Sequence, residues 1–258
     1  MTKVIKRKMP GNMCRKSTFY LPVLVVMILV GCSSSREVIR EAETTGGEQY
    51  EITHEIEPDV ELASFIEPYV SPIRDHMNQV LTISEGTFSR DQPEGTLGNL
   101  TADILRSRAA YEMRTRVHIA IMNNGGLRIP LPEGEVTVGH IFELMPFDNY
   151  ITLLKFTGNQ ILSIADELAA VGGEPVSGMR MRIQDGKARD VLVGARTVEP
   201  EMHYWVATNN WMADGGGDMP TLWEPLQRVD HELLIRDAFI YYLGSKEAIQ
   251  PEMDNRLR

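Results

Sequence analysis

The feature that most constrains the fold is a short apolar run, Val117-His118-Ile119-Ala120-Ile121-Met122, that ends abruptly in Asn123-Asn124-Gly125-Gly126. A strand with one face in water alternates apolar and polar residues. A nearly continuous apolar run implies a strand covered on both faces, so the sheet that holds it must have layers packed against each side. The flanking segments supply those layers. Strand-like stretches (Val80–Phe88, Tyr150–Phe156, Met179–Ile183, Val191–Val193, Tyr204–Thr208) alternate with helix-like ones. The helical spacing is clearest over Gly95–Met113, with Leu97, Leu100, Ile104 and Leu105 on a common side. Thr137 is placed to cap a helix over Val138–Leu144, and Thr157 one over Gln160–Ala170, which Gly172-Gly173 ends. Asp230 is expected to cap a last helix, His231–Leu243, and Asp59–Val80 is expected to form two short helices because Pro68 and Pro72 interrupt it. Strands and helices in similar number predict an α/β or α+β domain with mixed sheets flanked by helices.

The N-terminal region reads differently. Residues 1–31 carry six basic residues and no acidic ones, and Phe19–Val30 is an apolar run broken only by Pro22. A run of that length is short for a membrane span and suits the apolar region of a signal peptide. It ends Leu29-Val30-Gly31-Cys32, followed by three serines. This resembles a bacterial lipobox, which implies cleavage before Cys32, lipidation of its sulfur, and a mature chain held on the cell envelope. Ser33 resembles the class sorted to the outer membrane, facing the periplasm. Residues 32–57 are then a polar tether and residues 58–258 the folded domain.

Charge and motif absences narrow the function. With 20 basic and 36 acidic residues, positions 32–258 carry −16 at neutral pH, which excludes electrostatic capture of nucleic acid. The six histidines are scattered, and none forms a close pair with metal-ligand spacing. There is no Gly-x-Ser-x-Gly elbow and no phosphate-cradling Gly-x-x-x-x-Gly-Lys loop.

Three loops after or before strands have unusual composition. In Asn123–Arg128 the glycines permit positive φ or close backbone approach, and Arg128 offers an anion a rigid donor fork; a tight turn with a solvent-facing arginine has the same composition. In Leu144–Asn149 the Phe147 ring, on a proline-ordered loop beside the Asn149 amide, suits a stacked base as well as it suits a core. In Asn209–Met219 three glycines lie between two aspartates after a strand, as in a ligand-facing loop or a flexible turn.

In order along the chain, these blocks resemble the C-terminal domain of the 5′-nucleotidase family. Gly98-Asn99-Leu100-Thr101-Ala102-Asp103 is similar to its helix start, Asn123–Arg128 to its Asn-Gly-Gly-Gly-Ile-Arg loop, and Pro132–Thr137 through Met145-Pro146-Phe147 to its Gly-x-Ile-Thr…Leu-Pro-Phe segment. Ser177-Gly178-Met179 and Ala207-Thr208-Asn209…Gly215-Gly216 are similar to later blocks. The resemblance implies a four-layer α/β/β/α sandwich that binds a nucleoside or nucleotide. It implies that Asn123, Gly125, Gly126 and Arg128 contact ribose or phosphate, that Phe147 stacks on the base, and that Asn149 bonds its edge. Arg90 is implied as a second phosphate-side arginine, and Asp218 as a further contact. Met219 stands where the family has its second stacking ring and is implied to pack its thioether on the base as a weaker platform, and compensation by Trp211 or Trp223 is left open. The family's two-metal motifs are absent from the 258 residues. The expectation is therefore no cofactor or metal on this chain, no catalytic residue, and a separate metallophosphoesterase chain as partner. The alternatives left open are a non-catalytic nucleotide-capturing lipoprotein and a structural relic.

Overall fold

The computed structural model describes residue 53 and residues 56–258. The expectations for the signal segment, Cys32 and nearly all of the tether lie outside those residues. The description that follows concerns the unit Pro58–Arg258. None of its helices is long and apolar enough to cross a membrane.

The chain opens with helix α1 (Val60–Met77), whose N-terminus is capped by the Asp59 carboxylate accepting from the Leu62 N–H at 2.9 Å. The two prolines do not divide it. It is a single helix, because Pro68 and Pro72 sit on solvent-exposed turns where water can take the carbonyls they leave unpaired. Strand β1 (Val80–Ser84) and helix α2 (Thr96–Glu112) follow, then β2 (Ile119–Ile121), β3 (Gly134–Thr137) and α3 (Val138–Leu144). Next come β4 (Tyr150–Thr157), α4 (Gly158–Ala170), β5 (Val176–Ser177), β6 (Met179–Gln184), β7 (Lys187–Val193), β8 (Arg196–Thr197), β9 (His203–Asn209) and the one-turn α5 (Asn210–Ala213). The chain closes with β10 (Gln227–Leu234), α6 (Ile235–Gly244) and β11 (Ala248–Ile249). Both expected threonine caps form, each as a reciprocal box: Thr137 with His140 and Thr157 with Gln160.

The central sheet has the order β10-β4-β9-β2-β5, with β2 and β9 parallel and the other pairs antiparallel. Two small sheets, β11-β1-β3 and β6-β7-β8, accompany it. Each face of the central sheet carries its own apolar core. Ala120 points into one, with Leu97, Leu105, Leu144 and Phe239 from α2, α3 and α6. Ile119 and Ile121 point into the other, with Ile161, Ile164 and Leu168 from α4 and Met179 and Met181 from β6. The apolar run is therefore covered on both sides, and the architecture is the expected mixed α/β with sheets flanked by helices.

One element departs from expectation. Asp230 does not cap a helix at His231; both residues belong to β10, and helix α6 begins at Ile235. The local cap pattern lost to a tertiary partner. Gln227–Asp230 pair with Lys155–Thr152 of β4, and the Asp230 carboxylate accepts from the Thr152 hydroxyl at 2.7 Å.

A cleft at one end of the central sheet

Register decides which loops meet. β2 and β9 are parallel, so their C-terminal ends lie at the same edge of the sheet. β4 is antiparallel to β9, with Ile151 opposite Asn209, so β4 begins at that edge; Leu234 lies opposite Tyr150, so β10 ends there. The loop after β2, the loop before β4, the loop after β9 and the first turn of α6 therefore converge. Ligands of α/β sheets are bound at such carboxyl ends.

The loops enclose a cleft of about 340 Å³ lined by Asn123, Gly125, Gly126, Arg128, Phe147, Asn149 and Trp211. That volume suits a small organic ligand. A chamber of about 20 Å³, wide enough for one water, shares Asn123, Gly126, Phe147 and Asn149 with it and adds Met122, Asn209 and Arg236.

Asn124–Gly126 form one 3₁₀ turn. Neither Gly125 nor Gly126 has positive φ, so the permissive backbone foreseen from the glycines is not what is used. Gly126 serves close approach instead: a Cβ there would lie 3.1 Å from Asn123 Oδ1. The Asn123 amide is oriented by a chain of bonds. Asn209 Oδ1 caps α5 by accepting from the Met212 N–H at 2.8 Å, so Asn209 Nδ2 donates to Asn123 Oδ1 at 2.9 Å. Asn123 Nδ2 is then left as a donor beside the cleft. Arg128 is anchored through its N–H to the Leu144 carbonyl (2.9 Å) and through Nη1 to the Gly125 carbonyl (3.2 Å). Its guanidinium lies 6.0 Å from the Phe147 ring centroid. The Asn149 carbonyl accepts from the Ile235 N–H at 2.8 Å, and its side-chain amide makes no bond among the described residues.

Two residues absent from the sequence-derived site hold these loops. Arg236, only 8% exposed, donates to the carbonyls of Met145 (3.1 Å) and Phe147 (3.4 Å) and to the Asp148 carboxylate (2.6 Å), with its guanidinium 4.4 Å from the Phe142 ring centroid. The signal for it in the sequence is an arginine between apolar residues at the helix start, Ile235-Arg236-Asp237-Ala238-Phe239. Glu174 accepts from the Asn124 N–H at 2.5 Å; burial pushes its carboxyl above the ordinary range, an effect that this hydrogen bond opposes.

The remaining expected residues lie elsewhere. Met219 is 1% exposed and packs in the core between the central sheet and α4, so it is not a wall of the cleft. A thioether next to apolar side chains is a core residue first. Asp218 is exposed and does not line the cleft. Arg90 is also outside it, with Nη1 donating to the Leu127 carbonyl and, at 3.4 Å, the Asn124 carbonyl; it braces the 123–128 loop. The second ring is Trp211, on α5, 47% exposed. Gly216 lies against the indole: a Cβ at 216 would come within 2.2 Å of Trp211 Cδ2. Gly215 and Gly217 adopt φ of +104° and +77° as the loop folds back over the ring, and the Gly216 N–H donates to the Trp211 carbonyl at 2.8 Å.

Chemically, the cleft offers two aromatic faces, two amides and one guanidinium. Its lining contains no carboxylate, imidazole, hydroxyl or thiol, hence no nucleophile and no general base. Among the described residues no group of three or more His, Cys, Asp or Glu could hold a metal ion. These residues do not fit the two-metal centre of a phosphoesterase.

Comparison with known proteins agrees with the geometry. The family model described as 5′-nucleotidase, C-terminal domain, matches residues 78–224. The chain is 27% identical over 184 residues to a 5′-nucleotidase of Vibrio vulnificus, covering 66% of this chain and 32% of that protein. It is 25% identical over 179 residues to protein UshA of Escherichia coli, with coverage of 66% and 32%. A solved 5′-nucleotidase precursor from Thermus thermophilus superposes with a TM-score of 0.67 at 26% identity, over 78% of this chain and 43% of that one. The chain thus spans about a third of the length of these two curated relatives. From the ordered loops, the cleft they form and the matched segment, this chain belongs to the 5′-nucleotidase C-terminal domain family.

Proposed function

We propose that this chain binds nucleosides and their phosphates, with the base between Phe147 and Trp211, and serves as the substrate-holding half of a 5′-nucleotidase-type phosphohydrolase in nucleotide catabolism. The observation that carries this is the cleft itself: two aromatic side chains and two amides for a flat heteroaromatic ring with a polar edge, and Arg128 for an anion beside it. A separate chain would bring the divalent metals, since binding energy on the nucleoside accelerates hydrolysis only when it positions the phosphate against a catalytic centre. A second reading, nucleotide capture without turnover, is favoured by the lining's lack of any proton-transfer group. We further propose a lipid anchor at Cys32 that holds the domain on the bacterial envelope, at the outer membrane facing the periplasm.

Calorimetry with AMP, UMP and the matching nucleosides tests the site. Binding should be measurable, and Arg128→Ala should weaken the nucleotides more than the nucleosides. Equal losses would move Arg128 away from the phosphate, and no binding by wild type at millimolar ligand would retire the cleft. Hydrolysis assays with divalent metal, with and without a single-domain metallophosphoesterase from the same genome, separate the two readings. Mass spectrometry of the mature N-terminus checks Cys32.

A further inference from the structure

A second cleft lies towards the other end of β2. Gly178 packs against the His118 carbonyl, just before β2, whereas the aromatic cleft is built on Asn123, just after it. The two clefts share no lining residue. The second has a volume of about 320 Å³, and its polar lining includes Asp103 and Arg106 of α2, Arg180 of β6, and Asp254 and Arg256 of the C-terminal segment.

Its charges do not balance. The Arg256 side chain is only 10% exposed, and all five of its N–H donors are taken by the protein. It donates to the Asp103 carboxylate at 3.0 and 3.1 Å, to the Asp254 carboxylate at 2.8 and 3.2 Å, and to the Val176 carbonyl at 2.9 Å. Arg180 Nη2 donates to the Asp254 carboxylate at 2.8 Å, and its Nη1 to the Asp254 carbonyl. Asp103 also accepts from the Ser177 hydroxyl. Both carboxylates are thus engaged by arginines. Arg106 is not: half-buried, it makes no hydrogen bond or ion pair with any described residue. It lies against Gly178, where a Cβ would come within 2.9 Å of its Nη1. Three guanidinium groups face two carboxylates, which leaves one positive charge and the free donors of Arg106 and Arg180.

We propose that this cleft binds a small hydrophilic molecule through one oxyanion group, a carboxylate or a singly ionised phosphate, held by Arg106 and Arg180. A guanidinium fork matches two oxygens of such a group, and one negative charge balances the surplus. The surroundings favour the same sign. Residues 179–198 hold five basic residues, Arg180, Arg182, Lys187, Arg189 and Arg196, against two acidic ones, Asp185 and Asp190, in a chain whose formal charge is −10. The local field therefore attracts anions that the chain as a whole repels. The lining has no aromatic ring, so the ligand differs in kind from the flat base suited to the aromatic cleft. Because Arg106 is on α2 and Arg180 on β6, a bound anion would also tie these two elements together and raise the stability of the fold.

The test is amide NMR on the full chain in detergent, titrated at constant ionic strength with sodium gluconate, with inorganic phosphate at pH 6, and with neutral glucose. Gluconate or phosphate should shift the Gly178, Gly194 and Ala195 signals and saturate in the millimolar range or below, while Gly125 and Gly126 stay in place and glucose moves nothing. Saturation by gluconate alone identifies a carboxylate site, by phosphate alone a phosphate site, and by both in competition a general oxyanion site. Arg106→Ala should weaken binding about tenfold or more, and Arg106→Gln gives the same comparison should the alanine variant fail to fold. Arg189→Ala removes an exposed arginine of the same sheet that lies outside the cleft and should leave binding nearly unchanged. No saturable shift with either anion overturns the proposal. So do equal losses in the Arg106 and Arg189 variants, since a diffuse field would then account for the attraction.

Discussion

The two aromatic walls of the cleft are built in opposite ways. Phe147 rides on a loop with no regular structure, and its position depends on one buried arginine on another element: Arg236 ties the carbonyls on both sides of Pro146 to the start of α6. Trp211 is on a helical turn, and its support is local, the backbone of a glycine five residues on lying flat against the indole. One ring is held by long-range hydrogen bonds to a cation, the other by the absence of a side chain. The walls should therefore fail differently when disturbed.

The largest effect is expected at Gly216. An added methyl would overlap the indole, so Gly216→Ala must displace Trp211 or the loop. The displaced indole should be pushed into the cleft it lines and obstruct it, so nucleotide binding should fall further than in Trp211→Ala, below detection by calorimetry, with only a modest change in melting temperature because the ring is on the surface. Normal affinity in this variant would remove Trp211 from the site. Met219→Ala should do the reverse. Deleting a buried Met side chain costs about 2–5 kcal/mol of stability, read by chemical denaturation, whereas affinity of the folded fraction should hold; a loss of affinity at full folding would return Met219 to the binding surface.

Arg236→Ala should cost about 1.5–3 kcal/mol of stability, the range for a charged hydrogen-bond donor, and should weaken nucleotide and nucleoside equally because it acts through Phe147. A selective effect on nucleotides would instead mean that Arg236 meets the phosphate. Direct removal of the rings, Phe147→Ala and Trp211→Ala, should each cost about 1–3 kcal/mol of binding by lost stacking, with little change in stability. A null result for one of them would show that the cleft has a single working wall.

The smallest effect belongs to Glu174 beneath the glycine loop. Burial raises its pKa above the ordinary 4.5, so between that value and the raised one the folded state keeps a proton that the unfolded chain has lost. Stability therefore falls as pH rises through that window, and ionised Glu174 is a cost at neutral pH. Glu174→Gln keeps an acceptor for the Asn124 N–H without the charge, and should raise the melting temperature slightly at pH 7 and not below pH 4.5. A gain independent of pH would show that the charge is not the cause.

Much of this was legible in the sequence because it depends on neighbours along the chain. The double-sided burial of Ile119–Ile121 follows from an uninterrupted apolar run, and the caps at Thr137 and Thr157 follow from residues three positions apart. Asn123, Arg128, Phe147 and Asn149 could be picked out because turn chemistry and strand ends concentrate them. The failures share a cause. Asp230 has the chemistry of a cap, but a β4 strand distant in sequence offered its backbone a ladder. Pro68 and Pro72 signal a break that matters only where water cannot replace the lost bonds. Met219 and Trp211 sit eight residues apart on one loop, and composition could not say which faces the core and which the cleft. Sequence by itself determined most of the elements, the capped helix starts at Thr137 and Thr157, and the chemical types gathered in three loops. Only the tertiary structure decided which ring completes the cleft, which arginine lines it and which braces its loop, and that α1 exposes an apolar face among the described residues, because those outcomes are set by contacts between residues far apart in the chain, whose free energies no local pattern encodes.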